Sequence, residues 1–521
     1  MSRSIPNRIG RRRFIASAAT TALTAALAGP ESLAASPTGP RKSSLIEKEN
    51  AREGARDWQL TRVRVVPGKG SPANEAYRSP AIEGYCSRQS VAAGETIEFM
   101  ISANPPVRYT IEIFRTGYYG GRGARLMTKL GPLPGQPQPE PPANERRLVE
   151  CRWSPSASLK IPSDWVSGVY LGRLTTLPEK SDLPYWQSYV VFIVRDDRPA
   201  DILFQCSDNT WQAYNRWPSS YSLYDNGKPG MTSTPDVDVS FDRPYGKYRQ
   251  IYDNPQSVGS GEWLCFEFPL AYWLEQHGYD VSYCSNCDLL TPQRGMKCKT
   301  FLSVGHDEYW DERTYHSVAA MRDAGVSLMF LSGNAVCWVS PFSPNAGGTP
   351  NRRIHRSAPY GGLAREMNPQ DSERKRYTTV GPDEGLLMGA INVIPVNGGG
   401  DWIVAKPEHW MFEGTGMKKG DRIPGLIGWE YHGKPAKIPG LEVVAEGTAW
   451  KGGTVAQHWT ATVYPGPKKN FVFNAATIFW SQALASPPGH MLPWSHWNRP
   501  HGPDERVQRI MQNLLRRAVG S

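Results

Sequence analysis

"KTFLSVGHDEYWDERTYHSVAAMRDAGVSLMFLSGN" spans residues 299–334. Lys299–Gly305 is apolar and short, the pattern of a buried strand. Asp311–Gly325 predicts a helix, with Asp311 as N-cap and Gly325 just past its end. Val326–Gly333 is a second buried strand. Strands alternating with helices predict a mainly parallel sheet covered on both faces. The first strand delivers His306, Asp307 and Glu308 at its end, which an apolar strand has no structural need to do.

The same rhythm extends on both sides. "ADILFQCS" (Ala200–Ser207) and "YDVSYCS" (Tyr279–Ser285) read as strands, and "WLCFEFPLAYWLEQHG" (Trp263–Gly278) as a helix stopped by Gly278. "NFVFNAATIFW" (Asn470–Trp480) reads as a return strand. "PDERVQRIMQNLLRRAV" closes the chain with Val507, Ile510, Met511, Leu514 and Leu515 on one helical face. Ser340–Gly400 is loop-rich and basic and takes no assignment.

From Ala81 to Arg195 the texture is strand and turn. Thr96–Ala103, Arg108–Gly117, Ser167–Thr176 and Ser188–Asp196 alternate or carry β-branched and aromatic residues. The insertion "LGPLPGQPQPEPPANE" is too rich in proline and glycine for strand. The expected fold is an immunoglobulin-like β-sandwich over 79–197. It is followed by a three-layer α/β unit over 198–521, glutamine-amidotransferase- or flavodoxin-like, with a linker at 36–78.

Residues 1–35 read as a twin-arginine signal peptide: Arg11, Arg12 and Arg13 precede Phe14, an acid-free apolar run and "SLAAS". A periplasmic or extracellular location follows as the expectation. No later stretch is apolar enough to span a membrane. The formal charge of +10 falls to +6 without the five arginines and one glutamate of the leader, which calls for no nucleic acid. Of the eight cysteines, Cys284, Cys287 and Cys298 cluster. Three ligands are too few for a structural zinc site; a disulfide formed after export and unpaired structural thiols both stay open.

In an open parallel sheet, ligands bind beyond the carboxyl ends of the strands. Asn209, Thr210, Trp211, Gln212 and Tyr214 follow one strand, His306–Trp310 the next, and Asn334 a third. His306 and Glu308, two apart in an extended segment, point the same way; Asp307 points elsewhere and reads as an acid leading the helix. No His-Glu-x-x-His helix, phosphate loop or Gly-x-Ser-x-Gly elbow is present. Nothing in the sequence activates Cys337 as a nucleophile.

"FRTGYYGGRGARL" (Phe114–Leu126), "SGVYLGRL", "NTWQAYNRW", "SVGHDEYW", "LSGN", "GLIGWE" (Gly425–Glu430) and "VFNAATIFWSQAL" occur in order over most of Ala81–Leu484. This set resembles the N,N-dimethylformamidase large (beta) subunit and its C-terminal-domain relatives. The resemblance implies an amidase acting on a small amide, with one ferric ion per chain held by two tyrosines and a glutamate. Carried over by motif, the metal ligands are Glu308, Tyr214 and Tyr170, with Tyr224 as the rival of Tyr170. His306, Asn334 and Glu430 become the neighbouring catalytic groups. A small partner subunit or a homo-oligomer is implied as well. The chain departs from its relatives after "AYN", where "RWPSSYSLY" replaces a Gly-Gly turn. Two other readings stay open: a non-catalytic protein holding an extracellular glycan or peptide, and a hydrolase using another metal, such as zinc, through His306 and Glu308.

Overall fold

The computed structural model describes residues 44–67, 76–180, 182–228, 230, 233–248, 255–394, 397–492 and 501–520. The expected twin-arginine leader lies outside them. The chain is β-rich, with several sheets and short helices between them.

The largest sheet has seven strands: β1 (Ile202–Cys206), β2 (Val281–Ser285), β3 (Thr300–Gly305), β4 (Ser327–Ser332), β5 (Glu442–Lys451), β6 (Thr454–Pro465) and β7 (Phe471–Asn474). Their order is β2-β1-β3-β4-β7-β6-β5. The first five in that order run parallel; β6 and β5 add antiparallel. Every residue of β3 and β4 is buried, the consequence of cover on both faces. Leu302, Val304, Met329 and Leu331 enter one apolar cluster, with α2 (Phe268–Gln276) and α4 (Glu505–Val519). Phe301, Leu328 and Phe330 enter another, with Tyr315, Val318 and Met321 of α3 (Glu312–Ala324). The Asp311 carboxylate accepts from Arg313 N, and Gly325 ends α3 at φ 107°. The expected return strand is shorter than its pattern. It stops at Asn474, and the chain turns at Ala476, φ 59°.

Residues 83–195 build a three-stranded and a five-stranded sheet. Ile97, Phe99, Ile111, Ile113, Tyr170 and Phe192 fill one core between them. The opposite side of the larger sheet sends Leu171, Val191 and Ile193 into the cluster that also holds Ile202 and Phe204 of β1. Arg115 and Glu275 of α2, both fully buried, form a 2.7 Å ion pair across this junction. The described residues all fall within one compact unit.

Two expectations are corrected, and the cysteine alternatives are resolved. The strand Ala124–Leu133 runs into the proline-rich insertion; it is an edge strand, so Pro132 removes no needed hydrogen bond. The segment expected as a linker is packed from its helix Ser44–Asn50 onward, with Ile46, Trp58 and Leu60 buried. Asn50 Oδ1 accepts from the backbone of Tyr118 and Tyr119, and Glu49 from Tyr119 and Arg125. All eight cysteines, Cys284, Cys287 and Cys298 included, are free thiols.

Candidate metal and active site

β1, β3, β4 and β7 end on one rim because they are parallel. At the end of β3, Gly305 takes φ 71°, and a Cβ there would lie 2.5 Å from Phe266 Cβ. The turn it permits sends His306 and Glu308 one way and Asp307 the other. Asp307 is no helix-leading acid. It is fully buried and accepts from Gln205 (2.5 Å), Ser303 (2.7 Å) and Asn286 (3.4 Å), and burial pushes its pKa up to about 6.

Neighbouring segments hold the backbone of Glu308. Thr210 Oγ1, in α1 (Asp208–Tyr214), accepts from Glu308 N at 3.0 Å, and Asn209 Nδ2 donates to Tyr309 O at 3.0 Å. After β4, Val336 N donates to Asp307 O, and Cys337 N and Trp338 N to Glu308 O. Asn334 and Val336 sit at φ 53° and 51°, a left-handed conformation that Asn tolerates and a branched residue resists. Those backbone bonds hold it.

The Glu308 carboxylate is the hub. Oε2 accepts from Tyr214 Oη at 2.7 Å; Oε1 accepts from Tyr224 Oη (3.2 Å), Trp338 Nε1 (3.1 Å) and Asn334 Nδ2 (3.4 Å). The two phenol oxygens are 3.0 Å apart. His306 Nε2 lies 3.3 Å from Glu308 Oε2 and 2.8 Å from Glu430 Oε2, and His306 Nδ1 lies 3.1 Å from Glu262 Oε2. The Tyr214 ring packs 4.8 Å from the imidazole. Glu430 stands in the loop between two short strands, and its carbonyl crosses Gly333 so closely that a Cβ there would lie 2.1 Å from it. His432 pins this loop, accepting from Ala335 N at 2.9 Å and meeting Asn474 Oδ1 at 2.7 Å.

Five of the expected site residues therefore meet: Tyr214, His306, Glu308, Asn334 and Glu430. Tyr170 does not. It is fully buried between the two sheets of residues 83–195, stacked on Trp165 and Phe192, and its hydroxyl donates to Val166 O at 2.7 Å. Its rival Tyr224 takes the place beside Glu308. Sequence reasoning missed Glu262, Trp338, Tyr309 and Arg356. Tyr309 Oη donates to Tyr224 Oη at 2.6 Å, and Arg356 Nη2 donates to Tyr309 Oη at 2.7 Å. Tyr309 lay inside the quoted motif, but Glu262 and Arg356 carry no sequence signal.

Burial opposes charge on His306, yet Glu430 and Glu262 outweigh it and hold its pKa well above the usual imidazole value. Burial raises the Glu262 and Glu430 carboxyls, and burial together with the Glu308 charge raises the Tyr214 and Tyr224 phenols. A bound cation reverses the effect on the phenols. The donors fit such an ion. Carboxylate and phenol oxygens suit a hard cation, and four buried polar atoms beside them lack an aligned hydrogen bond: His306 Nε2, Glu430 Oε2, Asn334 Oδ1 and Glu262 Oε1. The 2.8 Å approach of the first two is close in distance but off the line of a hydrogen bond. A pocket of about 520 Å³ opens onto Glu308, Asn334 and Tyr224.

The arrangement is an oxygen-rich, acid–base site at the rim of a mixed sheet. The chain belongs to the family described as N,N-dimethylformamidase beta subunit-like, C-terminal, whose model matches residues 110–494. That membership points to a dimethylformamidase-like hydrolase of amide bonds and to a partner subunit. A comparison with curated proteins found no match. Among solved structures, a family 123 glycoside hydrolase from Clostridium perfringens, described for glycolipid glycan hydrolysis, aligns at 10% identity and a TM-score of 0.10. The alignment covers 53% of this chain and 52% of that one, and a likeness this slight carries no argument. No helix among the described residues is long and apolar enough to cross a membrane.

Proposed function

We propose that this chain is an amidase-like hydrolase that cleaves the C–N bond of a small amide, with one ferric ion held by Glu308, Tyr214 and Tyr224. The observation that carries the reading is the meeting of one carboxylate and two phenols, with Glu308 and Tyr224 lining an open pocket, in a chain of this family. The bound ion supplies Lewis-acid polarisation of the amide carbonyl and acidifies water. Asn334 donates its amide N–H to the oxygen that gains charge as the carbonyl is attacked. Glu430, whose proton affinity burial has raised, takes the proton of the attacking water. His306, held by Glu262, returns one to the amine nitrogen as the C–N bond breaks. The products are a carboxylic acid and an amine.

The same reading takes residues 1–35 as an export leader and the mature protein as periplasmic or extracellular. It takes the paired sheets of residues 83–195 as an immunoglobulin-like sandwich and the seven-stranded sheet with its helices as a three-layer α/β unit. One observation favours a second metal reading: ligand atoms of His306, Glu308 and Glu430 all lie within 4.8 Å of one another, a mixed nitrogen and oxygen set that suits zinc. Metal analysis with an absorption spectrum, beside an amide panel assayed with and without chelator, tests both. Iron with a visible tyrosinate band and chelator-sensitive cleavage is expected. A metal-free protein, or a colourless iron-loaded one, overturns tyrosine ligation of iron, and bound zinc selects the second reading.

A further inference from the structure

We infer that the amide taken by this site carries a medium-length apolar arm, so that a compound as small as dimethylformamide fills only the inner end of the pocket. The inference rests on the amidase reading and deepens it. The cavity is directional. Its inner end is the buried pair Glu308 and Asn334; its mouth is charged and exposed, with Asp371 and Arg376. The lining also carries four apolar side chains, Trp338, Leu363, Val393 and Ile394, beside the polar Ser233, Ser372, Glu373 and Asn397. The Trp338 indole N–H is bonded to Glu308 Oε1 at 3.1 Å, and Tyr377 packs on its ring at 5.3 Å. The start of the wall is therefore fixed to the reacting end.

The volume decides the size class. About 520 Å³ lies within the ~300–1,000 Å³ typical of sites that enclose drug-sized ligands, whereas dimethylformamide has only about five non-hydrogen atoms. An uncharged arm suits the four apolar side chains of the lining. An arm of about eight carbons would cover them, each buried methylene raising affinity about fourfold.

The test is calorimetric titration of the metal-loaded full-length protein with N,N-dimethylformamide, N,N-dimethyloctanamide and N,N-dihexylformamide. The last two place the arm on the acyl and the amine side respectively. At least one is expected to bind ten-fold or more tightly than dimethylformamide. In Ile394→Trp, a half-buried wall position, the ratio of long to short affinity is expected to fall, with circular dichroism checking the fold. Equal or weaker binding of both long amides, or no binding of any amide, overturns the inference. Turnover is followed in the same solutions. Long amides that bind tightly but are not cleaved overturn the amidase reading and leave the arm standing; short amides cleaved with no gain from length do the reverse.

Discussion

Arg356 Nη2 stands 2.7 Å from Tyr309 Oη, and this contact fixes the sense of a hydrogen-bond chain. A guanidinium only donates, so Tyr309 accepts from Arg356 and passes its own proton toward Tyr224 Oη at 2.6 Å. Tyr224 in turn faces Glu308. Arg356 is fully buried and, among the described residues, pairs with no carboxylate; it lies over the rings of Tyr224 and Trp338 at 4.5 and 4.7 Å. Arg243, also fully buried, is instead surrounded by carbonyl acceptors.

Arg356→Met should keep the fold, since the stem is replaced, but release Tyr309 and Tyr224. Outer partners of metal ligands are worth about 10–100-fold in metal affinity. Competition with a chelator should show a loss in that range, and Arg356→Lys should restore only part of it.

Glu308→Ala removes the acceptor shared by Tyr214, Tyr224, Trp338 and Asn334. The variant should purify without metal and without activity. Elemental analysis checks this, and full metal content in the variant would sink the ligand assignment.

The tyrosines should separate. Tyr170→Phe loses one buried hydrogen bond, to Val166 O, at about 1 kcal/mol, and should keep its metal and its spectrum. Tyr224→Phe should lose part of the tyrosinate absorption, the rest belonging to Tyr214. Thermal melts and absorption spectra of the pair distinguish the roles.

Gly333→Ala drives a methyl to within 2.1 Å of Glu430 O. The loop must shift, at a cost of ~1–3 kcal/mol in stability by overpacking, and Glu430 shifts with it. A lowered Tm together with a fallen kcat is expected.

Stability should fall as pH rises from about 4.5 to 7. Glu384 is fully buried, accepting from Gly362 N and Asn392 N, and burial raises its pKa to about 7. The folded state then binds a proton that the unfolded chain releases. The stabilisation is complete below the unfolded value of 4.5 and is lost as pH climbs through about 7, roughly 3 kcal/mol in all. Asp208, also raised to about 7 by burial, adds in the same sense. Urea midpoints across this range provide the measurement.

The strand-end residues were legible because an apolar strand that stops at a polar cluster breaks its own pattern. Glu308, His306 and Asn334 all came from that break. Tyr170 was misread because a phenol in a strand looks the same whether its ring stacks in a core or its oxygen meets a ligand. Tyr224 lies in an irregular segment whose path no periodicity reveals. Glu262 and Arg356 reach the site only through tertiary packing. Asp307 was read as a helix-leading acid because its partners, Gln205, Ser303 and Asn286, come from three separate segments.

Among the described residues β7 is the last strand, yet it lies between β4 and β6, and its Asn474 meets the His432 that pins the Glu430 loop. During synthesis Tyr214, Tyr224 and Glu308 therefore emerge long before the piece that completes their surroundings. The central gap in the sheet is filled only once Phe471–Asn474 has been made. Glu430 gains its anchor at that moment, so the complete acid–base cluster forms in no N-terminal fragment that stops short of Asn474.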